Sequence, residues 1–237
     1  MSDSTPIATP DESLAARLNE ELEGRPLEER LAGVVKAFRP GRLAVVSAFG
    51  PGSLVVIDKL QELGLRLPVV FIDTLHHFPE TLALVEQARE KYDLDLRVYR
   101  HVESRQLFEE RYGERLWERD IDRYQEVAKV EPFRRATSEL DGWFTGRRRD
   151  QSGTRAKLRL VEDGEKLRIN PLVDWSKGEV WRYLMDRQVP YNPLLDQGYA
   201  SIGDEPLTTA VGEGEDERAG RWRGSERTEC GIHEYGS

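Results

Sequence analysis

Two periods of apolar residues alternate along the chain. Leu27, Leu31, Val34, Val35 and Phe38 share one helical face, which predicts an amphipathic helix over 27–38, stopped by Pro40-Gly41. RLAVVS (42–47) follows as a short β-branched run, and a helix pattern then continues to Leu63 and ends at Gly64. LPVVFID (67–73) repeats the strand signal, Pro79 to Tyr92 reads as a helix, and LDLRVYR (94–100) reads as a third strand. Strands that are apolar nearly throughout and alternate with helices predict an α/β fold: a parallel twisted sheet with helices on both faces. Such sheets bind ligands at the carboxyl ends of their strands.

The remaining pattern is less regular. Glu12 to Glu23 predicts a short helix within a lead segment, 1–26. Residues 103–140 read as helical and strongly charged, WFTGRR (143–148) and LRINPLVDW (167–175) as strands, and 176–187 as a helix with Val180, Trp181 and Leu184 inward. After Pro190 the periodicity fades, and 203–229, rich in Gly, Glu, Asp and Arg, reads as a mobile tail. The expected division is thus a lead (1–26), an α/β nucleotide-binding domain (27–202) and a C-terminal catalytic tail (203–237).

Charge narrows the partners. A formal net charge of −9 disfavours nucleic acid, which normally meets a basic surface. The charge is uneven, however: Arg147 to Arg168 holds eight basic residues against four acidic ones. That cluster suits a small polyanion, and equally a solvated charged face. No apolar run is long enough to span a membrane, and the opening residues lack the basic and apolar regions of a secretory signal. One cysteine in 237 residues excludes an intrachain disulfide and points to a reducing, cytoplasmic setting.

Four segments carry candidate chemistry. Ser47-Ala48-Phe49-Gly50-Pro51-Gly52-Ser53 joins a strand to a helix, where backbone N–H groups and the helix dipole favour an anion; a tight turn explains its glycines equally well. Asp73 and Thr74 end the second strand, placed for a ligand or for a simple turn, and His76 and His77 beside them lack the companions of a metal site. Gly146 to Arg155 offers several guanidiniums suited to phosphate or sulfate. Cys230 lies in a polar stretch with no core to bury it, which argues for a reactive thiol; Arg227 and His233 favour its thiolate and Glu229 opposes it.

Taken together these segments resemble the sulfonucleotide reductases, which reduce 3′-phosphoadenylyl sulfate (PAPS) or adenylyl sulfate (APS) in sulfate assimilation. The likeness is carried by S-x-F-G at Ser47–Gly50, DT-x-x-x-FPET from Asp73, G-x-RR-x-QS-G-x-RA from Gly146 and E-C-G-I-H from Glu229, with KVEP, PLVDW, GYASIG and ERAGRW between them. The resemblance implies an adenine nucleotide alpha hydrolase-like fold of PP-loop type, with Cys230 as nucleophile and His233 beside it in the catalytic tail. It implies that Ser47, Phe49 and Gly50 of the first loop and Asp73 serve the adenosine side, with Thr74 a further substrate-binding residue. Lys129, Arg147, Arg148, Arg155, Arg218 and Arg221 would then meet phosphate and sulfate. It also implies thioredoxin or glutaredoxin as reductant, because one cysteine cannot resolve its own adduct, and a homodimer.

Cluster-bearing members of the family carry paired cysteines where this chain has Tyr124, Gln125, Asp204 and Leu207, so no iron–sulfur cluster is expected and PAPS is favoured as substrate. Pro206 and ERAGRW look more like the APS-reducing branch, which keeps a cluster-free APS reductase as the alternative. An ATP pyrophosphatase or adenylyltransferase relative would show S-G-G-K-D-S at the first loop, and a non-catalytic nucleotide sensor would need no exposed cysteine.

Overall fold

Alternation along the strands decides the layers. Val45, Val69, Phe71 and Ile169 join one apolar cluster, whereas Ala44, Val70, Ile72 and Trp143 join another. Side chains of a strand point to opposite faces at successive residues, so these clusters are the two sides of one sheet. The computed structural model describes residues 13–212, 214–221 and 232. Among them the strands are β1 (Leu43–Val46), β2 (Val69–Ile72), β3 (Leu96–Tyr99), β4 (Gly142–Phe144), β5 (Val161–Glu162) and β6 (Leu167–Ile169), ordered β3-β2-β1-β4-β6-β5 across the sheet.

The first face is covered by α1 (Leu14–Leu22), α2 (Leu27–Ala37), α3 (Pro51–Glu62), α4 (Pro79–Tyr92) and, later in the chain, Lys177–Asp186; their apolar stripes all enter the same cluster. The charged stretch after β3 is broken rather than continuous: α5 (Arg105–Tyr112), α6 (Leu116–Arg119) and α7 (Ile121–Gln125) lead through a π-helical turn (Glu126–Val130) into α8 (Glu131–Thr137), and Lys177–Asp186 is α9. Pro132 accounts for the widened turn, because its ring cannot sit against the carbonyl four residues back in a regular helix. Phe133 and Ala136 of α8 pack on the second face. Helices therefore lie on both sides of the sheet, as expected.

Three expectations change. The sheet is parallel except for β5, which pairs antiparallel with β6; its two residues are too few to give a readable alternation. The strands expected over 143–148 and 167–175 pair only as far as Phe144 and Ile169, since Pro171 donates no ladder bond. Residues 203–212 and 214–221 form a folded strap: Glu205 N–H donates to the His76 carbonyl at 2.8 Å and Thr209 N–H to the Gly220 carbonyl at 2.9 Å. Residues 222–231 and 233–237 lie outside the described residues. At the other end, Ala15, Leu18 and Leu22 of α1 share the core of the α/β domain.

The strand order reverses between β1 and β4, and the loops after those strands meet there. A Cβ on Gly146 would lie 2.2 Å from the Ser53 nitrogen, and one on Gly52 2.3 Å from the Gly146 oxygen. Only glycine lets these two backbones touch. Gly146→Ala is expected to cost about 2 kcal/mol or more by overpacking, read as a lower urea midpoint at unchanged slope.

Candidate active site

The cavity at that reversal has a volume of about 250 Å³ and opens at the carboxyl ends of β1, β2 and β4. This is where a doubly wound sheet places its ligand. Val46, Ile72, Trp143 and Ile232 give it an apolar wall. Lys129, Arg147, Arg148, Arg155, Arg218 and Arg221 give it cations, against the carboxylates of Asp204 and Glu217. A flat apolar group joined to a polyanion matches both walls.

The first loop is shaped by Phe49, which holds φ at 56° with its ring buried against Phe71. That left-handed turn lets Phe49 N–H donate to Ser47 Oγ at 2.8 Å, while Ser47 Oγ donates to Ser53 Oγ at 2.7 Å. Gly50 is the N-cap of α3 and Pro51 its first residue. Ser47, Phe49 and Gly50 all line the cavity.

Of the pair ending β2, Thr74 lines the cavity and Asp73 does not. Asp73 is occupied with its own loop: it accepts from Leu75 N–H at 2.9 Å and from Arg100 Nε at 2.7 Å. Thr74 Oγ1 donates to Asp204 Oδ1 at 2.8 Å, and Lys129 Nζ stands 2.6 Å from Asp204 Oδ2. Burial alone would push the Asp204 carboxyl up, yet Lys129, His77 and Thr74 facing it hold it far below the usual carboxylate range. Lys129 lies in the π turn and is buried there.

Gly146 to Arg155 wraps the opposite rim. Arg148, only 2 % exposed, donates to Asp150 at 2.8 Å and reaches Glu217 at 3.3 Å. Gln151 Oε1 accepts from Arg148 N–H and from Arg155 Nη1, fixing both residues at the rim. Burial pushes the Glu217 carboxyl up, against the pull of Arg148 and Lys177. Arg221 Nη1 donates to the Ile202 carbonyl at 3.2 Å, and Arg218 follows Glu217 in the strap.

Ten of the thirteen residues singled out in the sequence thus surround one cavity, and Asp73 stands outside it. Cys230 and His233 lie outside the described residues; Ile232 between them in sequence lines the cavity. Sequence reasoning did not find Asp204 or Glu217 as site residues. Asp204 follows GYASIG and Glu217 opens ERAGRW, so both sit beside family motifs that carry no sign of a counter-ion role. Among the described residues no group of three or more His, Cys, Asp or Glu is placed to hold a metal ion. Tyr124 and Leu207 pack in an apolar cluster with Phe108, Gln125 is buried, and Asp204 is ion-paired. None of the four offers a thiolate, so they do not fit an iron–sulfur cluster.

Fold and site define the class as an α/β nucleotide-site protein, with a mainly parallel six-stranded sheet and its cavity at the strand ends. A solved Candida glabrata FMN adenylyltransferase shares the fold with a TM-score of 0.58 at 18% identity, covering 94% of this chain and 81% of its own. Within that class the chain belongs to the phosphoadenosine phosphosulfate reductase family, whose domain model matches residues 42–210; it is an enzyme, an oxidoreductase of that family. A Schizosaccharomyces pombe protein described as a probable phosphoadenosine phosphosulfate reductase is 50% identical over 185 residues, covering 76% of this chain and 70% of its own. A phosphoadenosine 5′-phosphosulfate reductase of Xanthomonas axonopodis pv. citri is 43% identical over 92% of this chain and 91% of its own. An adenosine 5′-phosphosulfate reductase of Halalkalibacterium halodurans is 36% identical over 94% of this chain and 100% of its own. The crystal structure of phosphoadenylyl-sulfate reductase from Candida auris, a phosphate complex, matches with a TM-score of 0.76 at 36% identity, covering 87% of this chain and 100% of that one.

Proposed function

We propose that the chain reduces PAPS to sulfite and adenosine 3′,5′-bisphosphate, with Cys230 as nucleophile and a thioredoxin-type dithiol as reductant. The observation that carries this reading is the cavity itself: an apolar wall and six cations at the strand ends, with Ile232 of the ECGIH segment on its lining. The adenine lies against Val46, Ile72 and Trp143, and the anionic groups face Lys129 and the arginines.

In the first step the Cys230 thiolate forms a bond to the sulfate sulfur. The bond from that sulfur to the bridging oxygen breaks, and its electron pair leaves with the nucleotide phosphate. Lys129, Arg218 and Arg221 stabilise the charge that builds there. In the second step a thiolate of the reductant attacks Cys230 Sγ, and sulfite departs with the electron pair of the sulfur–sulfur bond. The reductant's second thiol then releases Cys230 and closes a disulfide, so the dithiol is oxidised by two electrons. No resident metal or cofactor takes part in this scheme. The protein works in the cytoplasm as a homodimer, with residues 203–237 as the segment that delivers the nucleophile.

The test is sulfite release with PAPS and APS side by side, using the same thioredoxin at matched ionic strength. PAPS is expected to have the higher kcat/KM. A single charge-assisted contact to the 3′-phosphate contributes about 1.5–3 kcal/mol, or about tenfold to a hundredfold. A preference for APS, or none, would overturn the choice of nucleotide; absence of sulfite from both would overturn the reaction.

A further inference from the structure

Arg147 is held from behind by residues that no motif marks. Arg147 lines the cavity, yet the residue is only 7 % exposed. Nη2 pairs with Glu162 Oε2 on the short antiparallel strand β5. Nε donates to Asn170 Oδ1 at 3.2 Å, just beyond the end of β6. Asn170 closes the ring by donating from Nδ2 to the same Glu162 oxygen at 2.8 Å. Its other bonds fix its own plane: Nδ2 donates to the Arg159 carbonyl at 2.9 Å, and Oδ1 accepts from Thr145 Oγ1 at 2.6 Å. Thr145 Oγ1 in turn accepts from Arg147 N–H at 3.2 Å.

Stability is a weak reason for this arrangement. A buried ion pair gains little over apolar side chains of the same volume, because both charges must be stripped of water. Electrostatics alone gives no reason either, since a carboxylate beside an anion site opposes the anion. What the ring does supply is geometry. A guanidinium binds oxyanions through a planar fork, and two bonds on one edge fix the plane.

We propose that Glu162, held by Asn170, is a positioning residue that sets the Arg147 guanidinium for an oxyanion of the bound nucleotide. This rests on Arg147 being a substrate ligand, as read above. The two effects of removing the carboxylate have opposite signs. Loss of its charge favours an anionic ligand, whereas loss of the fixed plane disfavours it, so a net loss of affinity can arise only from geometry.

The experiment is calorimetric binding of adenosine 3′,5′-bisphosphate to the full chain, with melting temperatures taken in parallel. Glu162→Gln is isosteric and is expected to raise Kd about tenfold, the scale of a small misplacement of a binding group. In an Arg147→Ala background the same change is expected to bring no further loss, as residues acting as a unit are not additive. Asn170→Ser is the second variant; it leaves both charges in place, removes the bridge between them, and is expected to weaken binding in the same direction. In turnover, Glu162→Gln is expected to show its effect in KM with kcat little changed. Unchanged or tighter binding by Glu162→Gln, or an equal loss in the Arg147→Ala background, would overturn the positioning role while the reductase reading stands. If the wild-type chain itself does not bind the nucleotide, the reading of Arg147 fails and the inference with it.

Discussion

Cys230→Ser should abolish sulfite formation, by about 10⁴-fold or more, while the Kd for adenosine 3′,5′-bisphosphate stays within about twofold of wild type. Cys230 is the sole cysteine of the sequence, so no other thiol can take its place. Serine keeps the shape but not the chemistry: its hydroxyl is a far weaker nucleophile at neutral pH, and an ester of sulfate on oxygen has no sulfur–sulfur bond for a dithiol to reduce. Nucleotide affinity should survive, because the described cavity supplies its cations from Lys129 and the arginines. The companion measurement is mass spectrometry of wild type mixed with PAPS and no reductant, where a sulfonate adduct belongs on the peptide holding Cys230. Sulfite released by the serine variant at a wild-type rate would remove Cys230 from the mechanism.

Lys129→Ala is the substitution expected to disturb the fold most. It leaves Asp204, 1 % exposed, without the ammonium 2.6 Å away. Breaking a buried pair by removing one partner costs about 3–5 kcal/mol. The sign with pH follows from Asp204. In the wild type its carboxyl is held far down, so the stability it contributes is present above the ordinary carboxylate range and is lost as pH falls through the depressed folded value. Without Lys129, burial dominates and pushes the carboxyl up, and the folded state then takes up a proton that the unfolded state gives away. The deficit should therefore be largest near neutral pH and shrink toward pH ~5. Urea unfolding of both proteins across that range checks it. A constant deficit would mean that the pair with Asp204 is not its source.

The parallel core was legible because both faces of a buried strand must be apolar. VVFI at Val69–Ile72 could hardly be anything else, and Pro79 and Tyr92 marked the ends of α4 at the observed residues. Edges were not legible. β5 holds its place through Ile169 and Arg168 across a short turn and through Asn19, which is far from it in sequence; a strand of two residues is too short for a local period to announce it. The folded part of the strap was not legible for a related reason. Its residues are polar because they face a cationic cavity and solvent, and low hydrophobicity does not separate that from lack of structure. Site residues that would touch a ligand directly stood out by type. Those that pair with the site's cations, such as Asp204 and Glu217, carry no signature beyond their neighbourhood, and Asp73 bonds to Arg100 and its own turn.

Asn19 has one more consequence. From α1 it donates through Nδ2 to the Val161 carbonyl at 2.8 Å and accepts through Oδ1 from Val161 N–H at 3.0 Å. A single carboxamide thus imitates the peptide group of one more neighbouring strand. β5 offers only two residues, and both backbone groups of Val161 are already taken, so among the described residues this border gives a foreign strand little to pair with. At the far border β3 leaves Arg97 and Val98 exposed, one on each face, with Arg97 paired to Asp95. There a charged side chain guards a longer run. One margin of the sheet is sealed by a counterfeit backbone, the other by charge.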